Sequence, residues 1–292
     1  MTDARVLSIQ SHVVHGYVGN RSAVFPLQLL GLEVDVLNTV HLSNHTGYSK
    51  FRGQRMDAAQ LEEVVLGLEE NNLLNYTHLL TGYIGNPGLA KAIVNTLTKL
   101  RIANEKTLYV CDPVMGDENK LYVPAEIVDI YRDQILPLAD IVTPNQFECE
   151  ILTGMPMTSD ADVVKACRHL HDIGPKIVVI SSFLTSDDAK TLFIYASEKT
   201  SEGTYHQYKM EIPRLKAYYS GTGDLFAALL LGWLSKPSCD LKTAIENVVA
   251  SIQAVLKRTA EANSVNRELK LIQSRHDLES PKVLVHATAF DI

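Results

Sequence analysis

The sequence lacks a hydrophobic run long enough to span a membrane. Its longest apolar stretch, Leu225–Leu231 extended through Trp233, has about half of the ~20 residues that a transmembrane helix needs. The N-terminus leads directly into a strand-like segment, without the apolar region of a signal peptide. These absences argue against membrane-spanning and secreted proteins. They predict a cytoplasmic location, with no membrane as a partner.

Concentrated positive charge and patterned cysteines are also missing. The chain has 27 Lys and Arg against 34 Asp and Glu, a net charge of −7 at pH 7. No basic cluster is long enough to contact a phosphate backbone, so no nucleic-acid partner is expected. The four cysteines show neither CxxC spacing nor a Cys/His cluster, and disulfide frameworks are typical of small secreted chains. We therefore expect reduced thiols at Cys111, Cys149, Cys167 and Cys239.

Short apolar segments alternate with longer segments of helical period. The apolar segments read as strands at 5–10, 33–38, 78–81, 107–111, 140–143 and 176–180. Helices are predicted near 57–71, 87–103, 124–136, 146–153 and 160–173. Alternation of this kind predicts a parallel sheet with helices on both faces.

The pattern changes after Ile180. Segments 190–195 and 204–212 are typical of an antiparallel pair of strands. Two further helices are predicted near 222–235 and 240–262. No repeat, low-complexity segment or linker divides the 292 residues, which predicts a single domain, 1–292. Because ligands of open α/β sheets bind beyond the carboxyl ends of the strands, the candidate functional residues are those that follow strands.

The sharpest local motif is Ser220-Gly-Thr-Gly-Asp224, which precedes an apolar helical segment. Gly221 and Gly223 allow consecutive backbone N–H groups to converge on an anion. The helix would add the positive end of its dipole, and Asp224 would lie in its first turn. This arrangement suits phosphoryl transfer, with a cradle for phosphate and a base for the attacking hydroxyl. The same residues also suit an ordinary helix start, and the loop is neither a Walker A nor a GxGxxG motif.

Two further polar segments follow strands. Asp112 and Asp117 lie at a strand end and in the loop after it, which suits a Mg²⁺ ion held largely through water and phosphate oxygens. Asn145 and Glu148 have the spacing of a capping box and would lie at the same sheet edge. Turn and capping roles alone would also account for both segments.

Hydroxyl and aromatic groups gather in three more segments. The stretch from Leu42 to Gly53 is typical of a recognition loop or lid. Gln10-Ser11-His12 and 81–85 offer hydroxyls and an aromatic ring, which suit a planar polar substrate. A lone histidine such as His45 is more often a surface or structural residue than a catalytic one.

Taken together, these segments resemble the pyridoxal kinases of the ribokinase-like superfamily. The resemblance rests on 10–20, 44–48, 112–117, 143–148 and 221–224, which occur in the family's order across nearly the whole chain. The Gly-Thr-Gly-Asp motif marks the superfamily, whereas the first two segments and 112–117 point to the vitamin B6 branch. The resemblance implies a ribokinase-like three-layer α/β sandwich. Its central sheet would be mostly parallel, with helices on both faces and antiparallel edge strands.

The resemblance also implies ATP-dependent phosphorylation of the 5′-hydroxymethyl group of pyridoxal, with pyridoxine and pyridoxamine also accepted. Asp224 matches the family's catalytic base. Residues matching the substrate site are Ser11, Thr46, Val18, Val40, His45, Tyr83 and Asp224. Residues matching the ATP site are Asp112, Asp117, Asn145, Glu148, Ser181, Ser182, Gly221, Thr222 and Gly223. Asp117 and Glu148 match positions for Mg²⁺ or another divalent cation, and K⁺ or Na⁺ would bind at Asp112, Thr143 and Ser181.

A homodimer is implied by the resemblance as well. The segment 215–219 varies within the family and is expected to contact adenine or ribose. The runner-up activity is that of a hydroxymethylpyrimidine kinase or another small-molecule kinase of the superfamily. A non-catalytic B6-binding protein would be expected to have lost Asp224, a loop glycine or an acidic residue, yet all are present. A sugar kinase would carry Asp and Asn near the N-terminus, where this chain has aromatic and hydroxyl groups.

Overall fold

The computed structural model describes residues 4–186, 188–215, 217, 219–262 and 267–290. The strands in these ranges are β1 Arg5–Val13, β2 Glu33–Leu42, β3 Gly53–Arg55, β4 His78–Thr81, β5 Leu108–Cys111, β6 Gly116–Asp117, β7 Lys120–Leu121, β8 Ile141–Val142, β9 Ile177–Phe183, β10 Thr191–Lys199, β11 Tyr205–Pro213 and β12 Thr288–Ala289. The α-helices are α1 Asn20–Leu29, α2 Ala58–Glu70, α3 Pro87–Ala103, α4 Glu126–Ile130, α5 Gln146–Thr153, α6 Asp160–Ile173, α7 Thr222–Leu234, α8 Leu241–Glu261 and α9 Arg275–Glu279. None of these helices is both long and apolar enough to cross a membrane.

Ten of the strands form one sheet, in the order β12-β11-β10-β9-β8-β5-β4-β1-β2-β3. The central strands from β9 to β2 run parallel. The strands β10, β11 and β12 at one edge and β3 at the other are antiparallel to their neighbours. A separate short hairpin is formed by β6 and β7. The predicted mostly parallel sheet with antiparallel edge strands is therefore confirmed.

Helices cover both faces of this sheet. Alternate residues of β1 point to opposite faces, so Leu7 and Ile9 pack with α2, α3 and α6 while Val6 packs with α1, α7 and α8. Val179 of β9 likewise packs with α1, α7 and α8. Each fully buried aliphatic side chain contributes roughly 1.5–3 kcal/mol, so both layers hold the sheet. The three-layer sandwich is also confirmed.

Several elements differ from the sequence-based expectation. The strands predicted at 5–10 and 33–38 extend to Val13 and Leu42, because they continue to pair beyond a register shift after Gln10. Helix α1 was not predicted, since it contains Pro26 and begins without a side-chain cap. The helix predicted at 124–136 is α4 followed by a π-helical turn, Tyr131–Ile135, and a short 3₁₀ segment. These elements lack the local signals on which prediction depends.

His78 makes the stability of this fold depend on pH. The side chain is buried at the start of β4, and burial lowers its pKa to about 4. The unfolded chain binds a proton near pH 6.5, so the stability that neutral His78 contributes is present above pH 6.5. It is lost as the pH falls towards 4.

We expect His78→Gln to reduce the loss of unfolding free energy between pH 7.5 and 5. The reduction should be on the order of 2 kcal/mol. Urea unfolding of the wild type and the variant at both pH values measures it. Equal losses in the two proteins would show that His78 does not titrate in this range.

Candidate active site

The carboxyl ends of the parallel strands bring the predicted site residues to one edge of the sheet. Ser11 lies in β1 directly opposite Val40 in β2, just past the register shift between Gln10 and Ser11. Asp112 follows β5, and Thr143 follows β8. The candidates that lie in or directly after strands at this edge are Ser11, Val40, Asp112, Thr143, Ser181 and Ser182.

The glycine-rich loop lies at the start of α7. Gly221 precedes the first helical residue and has a positive φ of 83°. A Cβ at this position would lie 1.9 Å from the carbonyl oxygen of Tyr17, so only glycine fits. The hydroxyl of Ser22 donates to the Gly221 carbonyl at 3.0 Å. Since the first N–H groups of a helix have no partner within the helix, Thr222, Gly223 and Asp224 can offer theirs to an anion.

Asp224 lies in the first turn of α7, between two segments from distant parts of the chain. The backbone N–H of Gly19 donates to its carboxylate. On the other side is Gly82, after β4, where a Cβ would lie 3.4 Å from Asp224 Oδ1. Burial raises the pKa of Asp224 and outweighs the opposing hydrogen bond from Gly19. A carboxylate with a raised pKa accepts a proton more readily, which suits a general base.

Asp112 supplies a buried carboxylate with one free oxygen. Asp112 is 4% exposed, and the hydroxyl of Thr143 donates a hydrogen bond to its Oδ1 at 3.3 Å. The other oxygen, Oδ2, is buried and has no hydrogen-bond partner among the described residues. Burial raises the pKa of Asp112 well above its usual value, and the charges of Glu148 and Asp224 raise it further. A buried, unpartnered carboxylate oxygen is suited to a cation.

Glu148 organises the loop after β5. Asn145 and Glu148 form the capping box at the start of α5. Glu148 Oε2 accepts the N–H of Asn145 at 2.9 Å, and Oε1 accepts the N–H groups of Met115 and Gly116 at 2.9 and 3.4 Å. Burial nevertheless raises the pKa of Glu148 to about 8. Because both oxygens already accept hydrogen bonds, Glu148 is placed to hold the loop in shape.

Asp117 lies on the hairpin formed by β6 and β7. Its Oδ1 accepts the backbone N–H of Glu118 at 2.8 Å, and burial raises its pKa. Asn145 reaches this hairpin too, since its side-chain amide donates to the Gly116 carbonyl at 2.8 Å. Within the described part of the chain, no three His, Cys, Asp or Glu side chains lie together so as to hold a metal ion. A divalent cation here would therefore need water or phosphate oxygens as further ligands.

The remaining nucleotide-side candidates are Ser181 and Ser182 on β9 and Thr222 at the start of α7. Ser181 donates its N–H and its hydroxyl to the Pro144 carbonyl, at 2.9 and 3.3 Å. Ser181 is thus next to Thr143, while Ser182 is half-buried on β9. The hydroxyl of Thr222 lies 3.5 Å from the carbonyl of Tyr219. In the segment 215–219, Lys216 and Tyr218 lie outside the described residues.

The substrate-side candidates form an apolar cluster with a polar loop beside it. Val18 and Tyr83 pack against a buried group that includes Val40. Thr46 is exposed on the loop after β2, and His45 is half-buried. A Cβ on the neighbouring residue Gly47 would lie 3.8 Å from Ser220 Oγ, so this loop reaches the glycine-rich loop. The structure therefore brings the two predicted halves of the site together.

Two residues at the site were not identified from the sequence. Gly19 donates to Asp224, and its only signal is a glycine directly before an unrecognised helix. Glu268 contacts His45, Tyr48 and Tyr17. It has no motif around it, so only the tertiary structure reveals it.

The chain is similar in sequence to known kinases. A sequence model of the family described as phosphomethylpyrimidine kinase matches residues 41–270. Pyridoxal kinase from Arabidopsis thaliana is 48% identical over 295 residues, covering 98% of this chain and 94% of the relative.

Solved structures are similar over the same length. The pyridoxal kinase of Leishmania donovani in complex with ADP and ginkgotoxin has a TM-score of 0.93 and 38% identity, covering 99% of this chain and all of that one. The complex of the same enzyme with ADP and pyridoxamine has a TM-score of 0.92 and 37% sequence identity. The match covers 99% of this chain and 100% of that one. The 48% identity over nearly the full length and the shared fold together show that this chain belongs to the pyridoxal kinase family.

Proposed function

We propose that this chain transfers the terminal phosphate of ATP to the 5′-hydroxymethyl group of pyridoxal, and also of pyridoxine and pyridoxamine. The observation that carries the proposal is the position of Asp224. It lies in the first turn of α7, which begins directly after Gly221, and next to the N–H of Gly19. Gly82, which has no side chain, lies beside it. A phosphate at the helix start and an alcohol beside Gly82 would both be within reach of the carboxylate. The complex of the Leishmania relative with ADP and pyridoxamine supports a nucleotide and a B6 vitamer as the two ligands.

Asp224 would act as the general base. A primary alcohol is too weak an acid to ionise beforehand, so its proton would move to Asp224 as the oxygen–phosphorus bond forms. The N–H groups of Gly221, Thr222 and Gly223 would stabilise the negative charge on the transferred phosphate. Positioning and charge stabilisation together provide most of the acceleration in phosphoryl transfer.

The substrate ring would lie against the apolar cluster that contains Val18, Val40 and Tyr83. Ser11, opposite Val40, would offer its hydroxyl to a ring substituent. His45 and Thr46 would close the pocket from the loop after β2. These positions support a flat, partly polar substrate over a sugar.

The nucleotide would lie along the edge formed by Asn145, Ser181 and Ser182. Mg²⁺ would bind near Asp117 and, through water, near Glu148, whose oxygens already accept backbone N–H groups. It would neutralise phosphate charge. The unpartnered Oδ2 of Asp112, with the oxygens of Thr143 and Ser181 nearby, fits a monovalent cation.

A hydroxymethylpyrimidine kinase is the second candidate, because the matching sequence family carries the phosphomethylpyrimidine kinase description. A panel of pyridoxal, pyridoxine, pyridoxamine and hydroxymethylpyrimidine with Mg-ATP distinguishes the two activities. We expect phosphorylated product from the B6 vitamers and at least ten-fold lower kcat/KM with the pyrimidine. The reverse ranking would replace the proposal with the pyrimidine activity.

Ser11→Ala tests the substrate side of the site. Loss of one hydroxyl contact of about 1 kcal/mol should raise the KM for pyridoxal roughly five-fold. The kcat should change less, because the hydroxyl is distant from the transferred phosphate in this proposal. Steady-state kinetics with varied pyridoxal measures both constants, and an unchanged KM would place Ser11 outside the pocket.

We further propose that residues 1–292 act as one kinase domain. A homodimeric state and a cytoplasmic location stay predictions. Analytical ultracentrifugation of the purified chain tests the first of them.

A further inference from the structure

Glu268 joins two segments that are far from it in the sequence. Its side chain is only 12% exposed. Oε1 accepts the hydroxyl of Tyr48 at 2.7 Å and lies 3.1 Å from His45 Nε2. Oε2 accepts the backbone N–H of Tyr17 at 3.1 Å. The carboxylate therefore holds both the loop after β2 and the turn before α1.

These contacts determine which nitrogen of His45 carries the proton. The backbone N–H of Gly47 lies 3.1 Å from His45 Nδ1 and can only donate. Nδ1 is therefore the acceptor, so Nε2 carries the hydrogen and donates it to Glu268. With both nitrogens bound within the chain, only the ring carbons and the ring face of His45 remain for contact with a ligand.

Both segments held by Glu268 pack against the glycine-rich loop. A Cβ on Gly221 would lie 1.9 Å from the carbonyl oxygen of Tyr17. Gly47, two residues after His45, is the neighbour of Ser220. Both segments therefore border the candidate site.

The charge of Glu268 matters as well as its shape. Its two oxygens face three donors, from Tyr17, His45 and Tyr48. The hydrogen bonds from His45 and Tyr48 lower the pKa of Glu268 against the opposing effect of burial, so the carboxylate stays ionised. A glutamine would place an NH₂ group against at least one of these donors, which leaves that contact unmade.

We infer that Glu268 is a positioning residue for the B6 substrate, which fixes the tautomer of His45 and holds the 43–48 loop against the turn at 16–19. The inference rests on the proposed function, because the pocket that it shapes is the one assigned there to the vitamer. Both of its oxygens are engaged within the chain, so Glu268 need touch neither substrate. It acts through His45, Tyr48 and Tyr17.

The test compares Glu268→Gln with Glu279→Gln, a matched loss of one negative charge at an exposed position on α9. We expect Glu268→Gln to raise the KM for pyridoxal about ten-fold, which corresponds to about 1.4 kcal/mol. The KM for ATP should stay within two-fold, and kcat within about three-fold. Glu279→Gln should match the wild type in all three constants. A purely structural role would instead lower the melting temperature and the active fraction without this selective change in the pyridoxal KM.

Two further variants test the same role of Glu268. Tyr48→Phe removes the hydroxyl that donates to Glu268 and should raise the pyridoxal KM about three-fold, which supports the inference even if Glu268→Gln fails to fold. In a His45→Ala background, Glu268→Gln should add much less than its ten-fold effect alone. Effects that multiply in full would overturn the inference.

An unchanged pyridoxal KM in both Glu268→Gln and Tyr48→Phe, with a wild type that turns over pyridoxal, would overturn the inference alone. A wild type that phosphorylates no B6 vitamer would overturn the proposed function and the inference with it.

Discussion

Asp224→Asn should lower kcat by about 10²–10⁴-fold, because an amide keeps the shape of the carboxylate but cannot accept the proton of the alcohol. The KM for ATP should change by less than about two-fold, since the backbone N–H groups of the glycine-rich loop remain. Steady-state kinetics with Mg-ATP and pyridoxal gives both constants. Near-normal turnover would remove Asp224 from the role of base.

The pH profile separates loss of a base from loss of structure. Protonation of Asp224 should reduce kcat at the acidic end, and burial raises the pKa of this group above its usual 3.8. The acidic limb of the wild-type profile should therefore lie above pH 3.8, and Asp224→Asn should lack it. Asp172→Asn makes the same change at a side chain that is 71% exposed. It should leave kcat and the profile unchanged.

Gly221→Ala should reduce kcat/KM at least about 100-fold, since a displacement of the cradle by about 1 Å is enough for such a loss. The new Cβ would lie 1.9 Å from the Tyr17 carbonyl, which is backbone and cannot rotate away. Relief requires a shift of the turn that carries Gly19, the donor to Asp224. Overpacking and the positive φ should together lower the unfolding free energy by about 2–4 kcal/mol.

Gly31→Ala is the matched control for this substitution. Gly31 also has a positive φ, of 91°, but nothing lies within 4 Å of its missing Cβ. It carries the backbone strain of about 1 kcal/mol without the steric clash. Urea unfolding and kinetics of the two variants thus separate strain from contact. Equal behaviour would mean that the close approach to Tyr17 has no functional importance.

Local signals predicted the fold well where they were present. Asn145 caps α5 through a side-chain hydrogen bond, as its capping-box spacing predicts, and Asp57 and Ser159 cap α2 and α6 in the same way. Helix α1 lacks such a cap and contains Pro26, so its sequence resembles a loop. The extension of β1 past Gln10 depends on pairing with β2, which no local pattern records.

The site shows the same division between local and distant information. Asp224 could be selected from its own five-residue motif, because glycines and an acid before an apolar helix are a local pattern. The raised pKa of Asp112 could not be predicted from the sequence, since it results from burial and from the charges of Glu148 and Asp224. The capping-box partners of Glu148 were predictable from spacing. Its bonds to Met115 and Gly116 were not.

The class of the fold and the position of its glycine-rich loop follow from local patterns, because hydrophobic period, caps and glycine placement act within a few residues. Which side chains surround Asp224, and what holds His45 in place, depend instead on contacts between distant segments. The N–H of Gly19 and the carboxylate of Glu268 reach the site from opposite ends of the chain. Contacts over such separations arise from the order of the strands and the packing of helices on them, and neither leaves a mark in any short stretch of residues.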